Sequence, residues 1–422
     1  METFFTPGPG IGGHLREIPE DFSVAEMYQL PPSSDQGRFT IAEVTSTNWE
    51  THTLVQALAD RLGIHPRRIA FAGTKDRRAV STQLMSFNGV DDRNLASLQL
   101  KDVIVKSLFQ SITPLHLGQL LGNRFEITIR GCGPTEDING LLAPLETVGG
   151  FPNFFGIQRF GAVRSITHLV GKYLTRGEFE AAVMTYIAHP ILGENEATFR
   201  LRQELERTRD FAAAYQQYPK TLNFERLMLE RLSRNPTDFI DALQALPKNL
   251  LLMFVSAYQS YLFNRMLSER IRRSLPIHQA IPGDLVGVVK DGRLTDQMVP
   301  VSVANSEKVN RQIEQKKAAV TGLLLGSEST LGSGVPGEIE RQILEQEKIE
   351  ARAFIIPEVP FLSSSGSRRT LCASLRHLAW NTTEDDRSLG KAAVHLTFEL
   401  PKGCYATSFL RELMKASSAE DY

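Results

Sequence analysis

The chain has 422 residues, which is enough for two or three domains of roughly 150 residues each. Its 42% hydrophobic and 23% charged residues are typical of a globular protein and exclude a disordered protein, a coiled coil and a collagen-like fibre. Forty-seven Lys and Arg residues against 48 Asp and Glu residues leave a net charge of −1, so a nucleic acid would have to be bound by a local basic patch.

The sequence offers no sign of a metal site, a leader peptide or a membrane segment. Its 3 cysteines and 9 histidines show neither CxxC nor HExxH spacing, so we expect no metal and no disulfide framework. The first residues carry neither the basic segment nor the apolar run of a signal peptide. The longest apolar stretch, residues 250–255, is far shorter than the roughly 20 residues that span a bilayer. We therefore expect a cytoplasmic protein without a membrane partner.

The first 130 residues alternate strand and helix patterns. Residues 51–62 have helical spacing of leucine and valine, with Thr47 or Asn48 as the expected cap and Gly63 as the end. Residues 124–130 give the clearest strand, because three apolar side chains alternate with polar ones. Further strands are expected near Phe22, near Phe39, at residues 69–73 and at residues 80–87.

The middle of the chain is predicted to be helical and the end to return to a strand. Helical periodicity covers residues 200–218, 224–233 and 250–272, and residues 280–305 are strand-like. Residues 327–337 read as a flexible joint. Residues 394–400 alternate as a strand, and Thr407 is the expected cap of a final helix that ends at Lys415. Because a lone strand cannot bury its apolar face, residues 394–400 should join the sheet of the first 130 residues.

A glycine run at residues 8–13 matches GxGxxG, the pattern of a dinucleotide site. Such a site needs a strand before the glycines and a helix after them, whereas prolines flank this run. A turn is the better interpretation, and a nucleotide-dependent enzyme is kept only as a weak alternative.

A basic turn follows the strand at residues 69–73 and contains a single carboxylate, Asp76. Such a patch suits phosphate contacts, and its cations would keep Asp76 ionised, as a nucleophile or base requires. A solvated charged turn is the plainer alternative. The basic residues of the patch are Arg67, Arg68, Lys75, Arg77 and Arg78.

Three aromatic segments complete the motifs. Residues 151–161 interleave four aromatic residues with Gln158 and Arg159, which fits either RNA contact or a packed hinge. Residues 257–265 place an aromatic stripe on a helix, for which a core position is the simpler interpretation. Phe125 begins the best strand of the chain, and a core role is again the simpler reading of its pattern.

Six segments of the chain, taken in order, resemble the TruD family of pseudouridine synthases, and the resemblance runs nearly end to end. They are PEDFSVAE at 19–26, GTKDRRAV at 73–80 with Gln83, GNRF at 122–125, PNFFGIQRFG at 152–161, YQSYLFNR at 258–265 and LPKGCYAT at 400–407. The long polar middle resembles the archaeal and eukaryotic branch of the family.

The resemblance implies an α+β fold with a discontinuous catalytic domain. Residues 1–161 and 351–422 would form a pseudouridine synthase domain, a mixed and largely antiparallel sheet flanked by helices. Residues 162–350 would form the family's inserted α+β TRUD domain, with a cleft for RNA between the two.

The resemblance also implies an isomerase that converts one uridine of tRNA, at position 13, to pseudouridine without cofactor or metal. It assigns Asp76 as the catalytic carboxylate and implies flipping of the target base. Arg16 stands where the bacterial pattern commonly has lysine, and Cys404 where serine is common. Active-site support is expected from Arg16, which would hold the Asp76 carboxylate ionised and aimed, and from Phe125, which would stack on the freed base. Phe22, Lys75 and Asn123 are the other expected support residues. RNA contacts are expected from Arg67, Arg68, Arg77, Arg78, Phe155, Gln158 and Arg159.

Three points stay open at this stage. Asp76 could add to C1′ or C6 of the nucleotide or remove the C2′ proton, and the sequence does not choose among these. A non-catalytic RNA-binding module of the same fold is the main alternative to an enzyme. tRNA is the expected partner, and no protein partner is implied.

Overall fold

A computed structural model describes residues 3–75, 77–133, 138–161, 164–290 and 292–416. The described residues of 6–151 and 373–422 form one compact unit, called here the sheet unit. Those of 1–5 and 152–372 form the second, called here the helical unit. The division into a catalytic domain, residues 1–161 and 351–422, and an inserted domain, residues 162–350, stays a prediction.

Strands and helices both occur in each unit, which confirms the α+β class. The strands are β1 Gly12–His14, β2 Phe22–Tyr28, β3 Phe39–Thr47, β4 Ile69–Phe71, β5 Val80–Asn88, β6 Val103–Ser111, β7 Leu120–Cys132, β8 Gly150–Pro152, β9 Leu285–Lys290, β10 Arg293–Pro300, β11 Ala318–Leu324, β12 Ser367–Thr370, β13 Cys372–Ser374, β14 Arg376–Glu384 and β15 Ala392–Pro401. The helices are α1 Thr51–Leu62, α2 Asp92–Ala96, α3 Ile138–Val148, α4 Thr167–Thr175, α5 Phe179–Ile187, α6 Glu196–Thr208, α7 Phe211–Gln217, α8 Asn223–Arg234, α9 Phe239–Gln244, α10 Lys248–Arg272, α11 Ser306–Glu314, α12 Gly334–Gln346 and α13 Ala406–Met414.

A mixed, mostly antiparallel sheet organises the sheet unit. Its order is β14-β15-β7-β2-β5-β3-β6, with β1 added beside β7 and β4 beside β5. Within the described residues of this sheet, β2 and β5 are the only neighbouring strands that run parallel to each other. β15 lies against β7, with Phe398 opposite Phe125 and Val394 opposite Ile129. The prediction that residues 394–400 join the sheet of the first 130 residues is therefore confirmed.

Helix α1 covers one part of this sheet. Its Leu54, Val55 and Leu58 pack on Val44 and Phe87, as the helical spacing predicted. Gly63 ends the helix in the left-handed conformation, with φ 64°, which glycine adopts without strain. The predicted caps Thr47 and Asn48 were wrong.

The observed cap of α1 is Glu50. Its carboxylate accepts the backbone N–H groups of His52 and Thr53, both at 3.0 Å. Thr47 instead belongs to β3, and Asn48 follows that strand with φ 63°. A glutamate is an uncommon cap, which is why the preference for short polar residues misled the prediction.

The glycine run packs on the last helix, α13. A Cβ on Gly10 would lie 2.1 Å from the backbone oxygen of Met414, so only glycine fits there. The amide of Ile11 donates to Leu413 O at 2.9 Å, and β1 rather than a helix follows. The nucleotide-site alternative thus loses its only sequence support. Thr407 lies inside the first turn of α13, whose N-cap is Tyr405, so the predicted cap was wrong.

The helical unit has its core around α10. Phe254, Tyr258 and Leu262 of this helix are buried with side chains from α4, α5 and α8. A separate antiparallel sheet of order β10-β9-β11-β12 includes the strands expected near residues 280–305.

Two predictions in the helical unit were wrong in detail. The helix expected at 200–218 is two helices, α6 and α7, because Arg209 turns into the left-handed region at φ 56° and Asp210 caps α7. The joint expected at 327–337 ends in a helix, since α12 begins at Gly334. No helix of the described residues is long and apolar enough to cross a membrane.

Candidate active site

The predicted catalytic residue, Asp76, lies outside the described residues, whereas the turn on either side of it is described. The Lys75 amide donates to Thr51 Oγ1 at 2.7 Å, where α1 begins. Ala72 O accepts the Gly118 amide at 2.7 Å, and Ala79 O accepts the Asn48 amide at 3.0 Å. Both ends of the turn are thus held by backbone hydrogen bonds.

Lys75 turns into the sheet rather than toward solvent. Its ammonium donates to Glu26 Oε1 at 2.8 Å and to Asn123 Oδ1 at 3.0 Å. Glu26 and Asn123 are direct partners in the antiparallel pairing of β2 with β7. Lys75 is only 8% exposed, so it does not belong to a surface patch of phosphate-binding cations. The sequence-based count of five patch residues was therefore too high.

Arg16 contacts Phe22, the first residue of β2. The Arg16 guanidinium carbon lies 4.2 Å from the centre of the Phe22 ring, within the range of a cation–π contact. Arg16 adopts φ 60°, an uncommon conformation for a residue other than glycine. The Arg78 guanidinium approaches the backbone oxygen of Arg16 at 3.5 Å. Two of the predicted support residues are thus in direct contact.

Phe125 lies in a row of phenylalanines on β2, β7 and β15. Its ring stacks on Phe398 at 5.2 Å between centroids and meets the edge of Phe22 at 6.1 Å. Phe125 is 6% exposed. The packing role expected from its strand pattern is confirmed, and its contact with a base stays a prediction.

The remaining basic residues of the turn differ in their surroundings. Arg67, Arg77 and Arg78 are exposed. Arg68 is half-buried and donates to the backbone oxygens of Asn88, at 2.9 Å from Nε, and of Gly89, at 3.0 Å. These hydrogen bonds give the Arg68 side chain a structural role, which is to hold the turn after β5. An RNA contact is not needed to account for its position. RNA contact by these four residues stays a prediction.

The second motif, residues 152–161, lies in the helical unit. The Phe155 backbone exchanges two hydrogen bonds with the Asn264 side chain, at 2.9 and 3.0 Å. The Arg369 guanidinium lies 4.1 Å from the centre of the Phe155 ring, and the ring edge meets Phe263. Phe155 is 6% exposed, so stacking with a base would require this packing to open. The packed alternative for this motif is the one that the contacts favour.

The other two residues expected to contact RNA from this motif differ from Phe155. Gln158 is exposed. Arg159 is half-buried, donates to Ser260 Oγ at 3.1 Å and lies over the Phe155 ring at 5.6 Å. Gln158 therefore has the free access that an RNA contact needs, whereas Arg159 would have to leave a contact.

Sequence reasoning missed Glu26, Thr51 and Asp21. Glu26 occupies a position of β2 on the same face as the apolar Phe22 and Val24, and a carboxylate there signals a buried cationic partner. Asp21 forms a buried pair with Arg130 at 2.7 Å. Thr51 carried no signal beyond its place at a helix start.

Metal ligands and a reactive thiol are two further kinds of group that could supply chemistry to a site. No group of three or more potential metal-ligating side chains occurs within the described ranges. The pKa of Cys132 is raised to about 11, chiefly by burial, so this thiol is unreactive at neutral pH.

Comparisons with known proteins cover nearly the whole chain. The family description tRNA pseudouridine synthase D (TruD) matches residues 1–413. A relative from Methanococcoides burtonii, named "Probable tRNA pseudouridine synthase D", is 40% identical over 98% of this chain and 96% of its own length. One of the same name from Pyrococcus abyssi is 38% identical over 98% of each chain. A crystal structure from Methanosarcina mazei, described as a "Putative tRNA pseudouridine synthase D (TruD)", aligns at a TM-score of 0.91 with 37% identity over 100% of this chain and 98% of that one.

Proposed function

Because the chain belongs to the TruD family of tRNA pseudouridine synthases, we propose that it converts one uridine of tRNA to pseudouridine, with Asp76 as the catalytic carboxylate. The family match over residues 1–413 is the observation that carries the isomerase activity. The choice of Asp76 rests on its place in GTKDRR, between a lysine that Glu26 neutralises and two exposed arginines.

The reaction moves one bond and one proton. The bond between N1 of uracil and C1′ of the ribose breaks, the freed base turns, and a bond forms between C5 and C1′. The proton leaves C5, and N1 ends protonated, so no atom is gained or lost. A carboxylate suffices to start this isomerisation by adding to C1′ or C6 or by removing the C2′ proton. The proposal therefore requires neither metal nor cofactor.

The target uridine must leave its stack to reach the carboxylate. Arg16 would keep the Asp76 carboxylate ionised and aimed, and the contact of its guanidinium with Phe22 supports this role. Phe125, together with Phe22, would border the base, and Asn123 would hydrogen-bond near it or order the turn. The exposed Arg77 and Arg78 would contact the flanking phosphates.

The proposed substrate is uridine 13 of tRNA, by resemblance to the family. Position-resolved mapping of pseudouridine in tRNA treated with the purified protein tests both the activity and the position. Pseudouridine at another single position would contradict the position and keep the activity. Binding of tRNA without any pseudouridine would instead support the RNA-binding module.

Asp76→Asn and Asp76→Ala are expected to lose turnover by about a thousandfold or more, since the reacting carboxylate is removed. We expect their affinity for tRNA to stay within about twofold, because the arginines that contact phosphates remain. Asp60→Asn, on the exposed face of α1, is the matched control and should retain wild-type turnover. An Asp76 variant with near-normal turnover would reject the catalytic assignment.

A further inference from the structure

We propose that Glu26 and Thr51 are positioning residues that hold Lys75 at both ends and thereby fix the next residue in the chain, Asp76. This inference rests on the proposed function and extends it to two residues outside the predicted site. They act through the turn rather than by touching the substrate.

The side chain of Lys75 is held by a buried ion pair. The Lys75 and Glu26 side chains are 6% and 0% exposed, and the ammonium lies 2.8 Å from Glu26 Oε1. The other Glu26 oxygen accepts the backbone amide of Leu84 on β5 at 3.3 Å. Glu26 therefore links the turn to the central strands of the sheet.

The backbone of Lys75 is held separately. Its amide donates to Thr51 Oγ1 at 2.7 Å, and Thr51 is fully buried at the first position of α1. One residue is thus fixed at the amide by a helix and at the ammonium by β2 and, through Asn123, by β7. A flexible lysine side chain held in this way has little freedom left.

Stability alone does not account for a charged pair at this position. Moving two charges out of water costs several kcal/mol per ion, and a buried pair is often no more stabilising than apolar residues of the same volume. Gly73 is consistent with a site shaped around the pair, because a Cβ there would lie 3.1 Å from Glu26 Oε1. The pair does give directional contacts, which apolar side chains lack.

Directional contacts beside a reacting group matter for rate. A catalytic group must be held within about 0.5 Å of its productive position, and a 1 Å displacement costs about 100-fold in rate. Because Asp76 directly follows Lys75, a shift of Lys75 is passed to Asp76 through one peptide unit. We call the contacts of Lys75 with Glu26, Asn123 and Thr51 the anchor. We expect the anchor to affect the chemical step more than tRNA binding.

The test compares a broken pair with an apolar replacement. Glu26→Gln leaves a buried ammonium without its counter-charge and should lower both the melting temperature and the single-turnover rate. The double variant Glu26→Leu with Lys75→Met should recover most of the melting temperature while its rate stays about 10- to 100-fold below wild type. The Kd for tRNA should change less than about twofold. Recovery of the rate together with the melting temperature would overturn the proposal.

A second pair of variants covers the case in which the double variant does not fold. Thr51→Val removes the oxygen that accepts the Lys75 amide and keeps the shape, so the rate should fall about tenfold at unchanged Kd. Thr51→Ser keeps the hydroxyl and should restore the rate. A wild-type rate in Thr51→Val would overturn the proposal.

A buried pair in the helical unit provides the control. Arg270 and Asp284 are 5% and 2% exposed and 2.6 Å apart, so their replacement by Met and Leu tests the loss of a buried pair as such. We expect the rate of this control to stay at the wild-type value. Wild-type turnover in the same assay tests the proposed function by itself, and the ratio of variant to wild-type rate tests the anchor.

Discussion

Single residues in the sheet unit combine strain with contact, and Arg16 is the clearest case. A left-handed conformation costs a residue with a Cβ roughly 1 kcal/mol, and Arg16 adopts it at φ 60°. The contact of its guanidinium with Phe22, worth about 0.5–2 kcal/mol, offsets this cost. The contact therefore restrains the Arg16 side chain over the Phe22 ring.

Arg16→Ala is expected to lower pseudouridine formation by about 100-fold, since it removes the positive charge proposed to keep Asp76 ionised and oriented. Arg16→Lys should retain more activity because the charge survives, although lysine lacks the planar guanidinium. Initial rates on tRNA at saturating concentration measure both. Arg38→Ala is the control, because Arg38 lies over Phe39 at 5.4 Å in the same unit. Equal rates for wild type and Arg16→Ala would remove Arg16 from the site.

His168 in the helical unit predicts a pH dependence. Burial lowers its pKa to about 4, and its Nδ1 has no hydrogen-bond partner among the described residues. The unfolded chain therefore takes up this proton at higher pH than the folded one, so the stability contributed by neutral His168 is lost between about pH 6.5 and 4. Urea unfolding at pH 7 and pH 4.5 should show a smaller loss for His168→Phe than for wild type. An equal loss in both proteins would contradict this prediction.

At the scale of the element, β7 and β15 lie close together at Gly122. A Cβ on Gly122 would lie 2.2 Å from Leu400 O, so the backbone there tolerates only glycine. The neighbouring Asn123 carries the Lys75 contact. The glycine of the GNRF segment is thus explained by sheet packing, whereas its asparagine accepts a hydrogen bond from Lys75.

Gly122→Ala is expected to destabilise the protein by about 1–3 kcal/mol, because β15 must move away from β7 to admit the methyl group. Gly133→Ala is the matched control, since a Cβ there would lie 3.6 Å from Ile11 O, an ordinary van der Waals distance. Denaturant midpoints for the two variants measure the difference. Similar midpoints would show that β15 adapts without cost.

The sequence predicted the elements whose local pattern decides their structure and missed those decided by distant contacts. Residues 124–130 alternate between apolar and polar side chains, and they form the middle of β7. The break between α6 and α7 has neither Gly nor Pro at Arg209, and the cap of α7, Asp210, stands within an otherwise continuous helical pattern. Glu26 was overlooked because its partner, Lys75, is 49 residues away in sequence. The aromatic motif at 152–161 could not be divided between packing and RNA contact until Asn264 and Arg369 were placed beside Phe155.

On the scale of the whole molecule, the sheet unit depends on both parts of the chain. The Arg124 guanidinium on β7 pairs with Glu399 on β15 at 2.7 Å, although 275 residues separate them. The helical unit, by contrast, takes nearly all of its residues from the stretch 152–372 and adds only described residues of 1–5. The sheet unit therefore cannot be complete until the last strands of the chain are present, whereas the helical unit does not depend on them.

A chain shortened to residues 1–375 should retain the helical unit and lose the order of the sheet unit, because β14, β15 and α13 are removed. Hydrogen exchange should show lost protection at the amides of β7 and retained protection in α10. The full-length chain is the reference. Protected β7 amides in the shortened chain would show that the sheet forms without its last strands.

The same pairing sets an order of events during translation. At about 5–20 residues per second, the ribosome needs roughly 14–55 s to make the 275 residues between Arg124 and Glu399. During that time the helical unit can fold, while the edge of β7 waits for β15 and is open to other nascent chains. We expect the charges of Arg124 and Glu126, both exposed on β7, to disfavour aggregation along this edge until Arg124 pairs with Glu399.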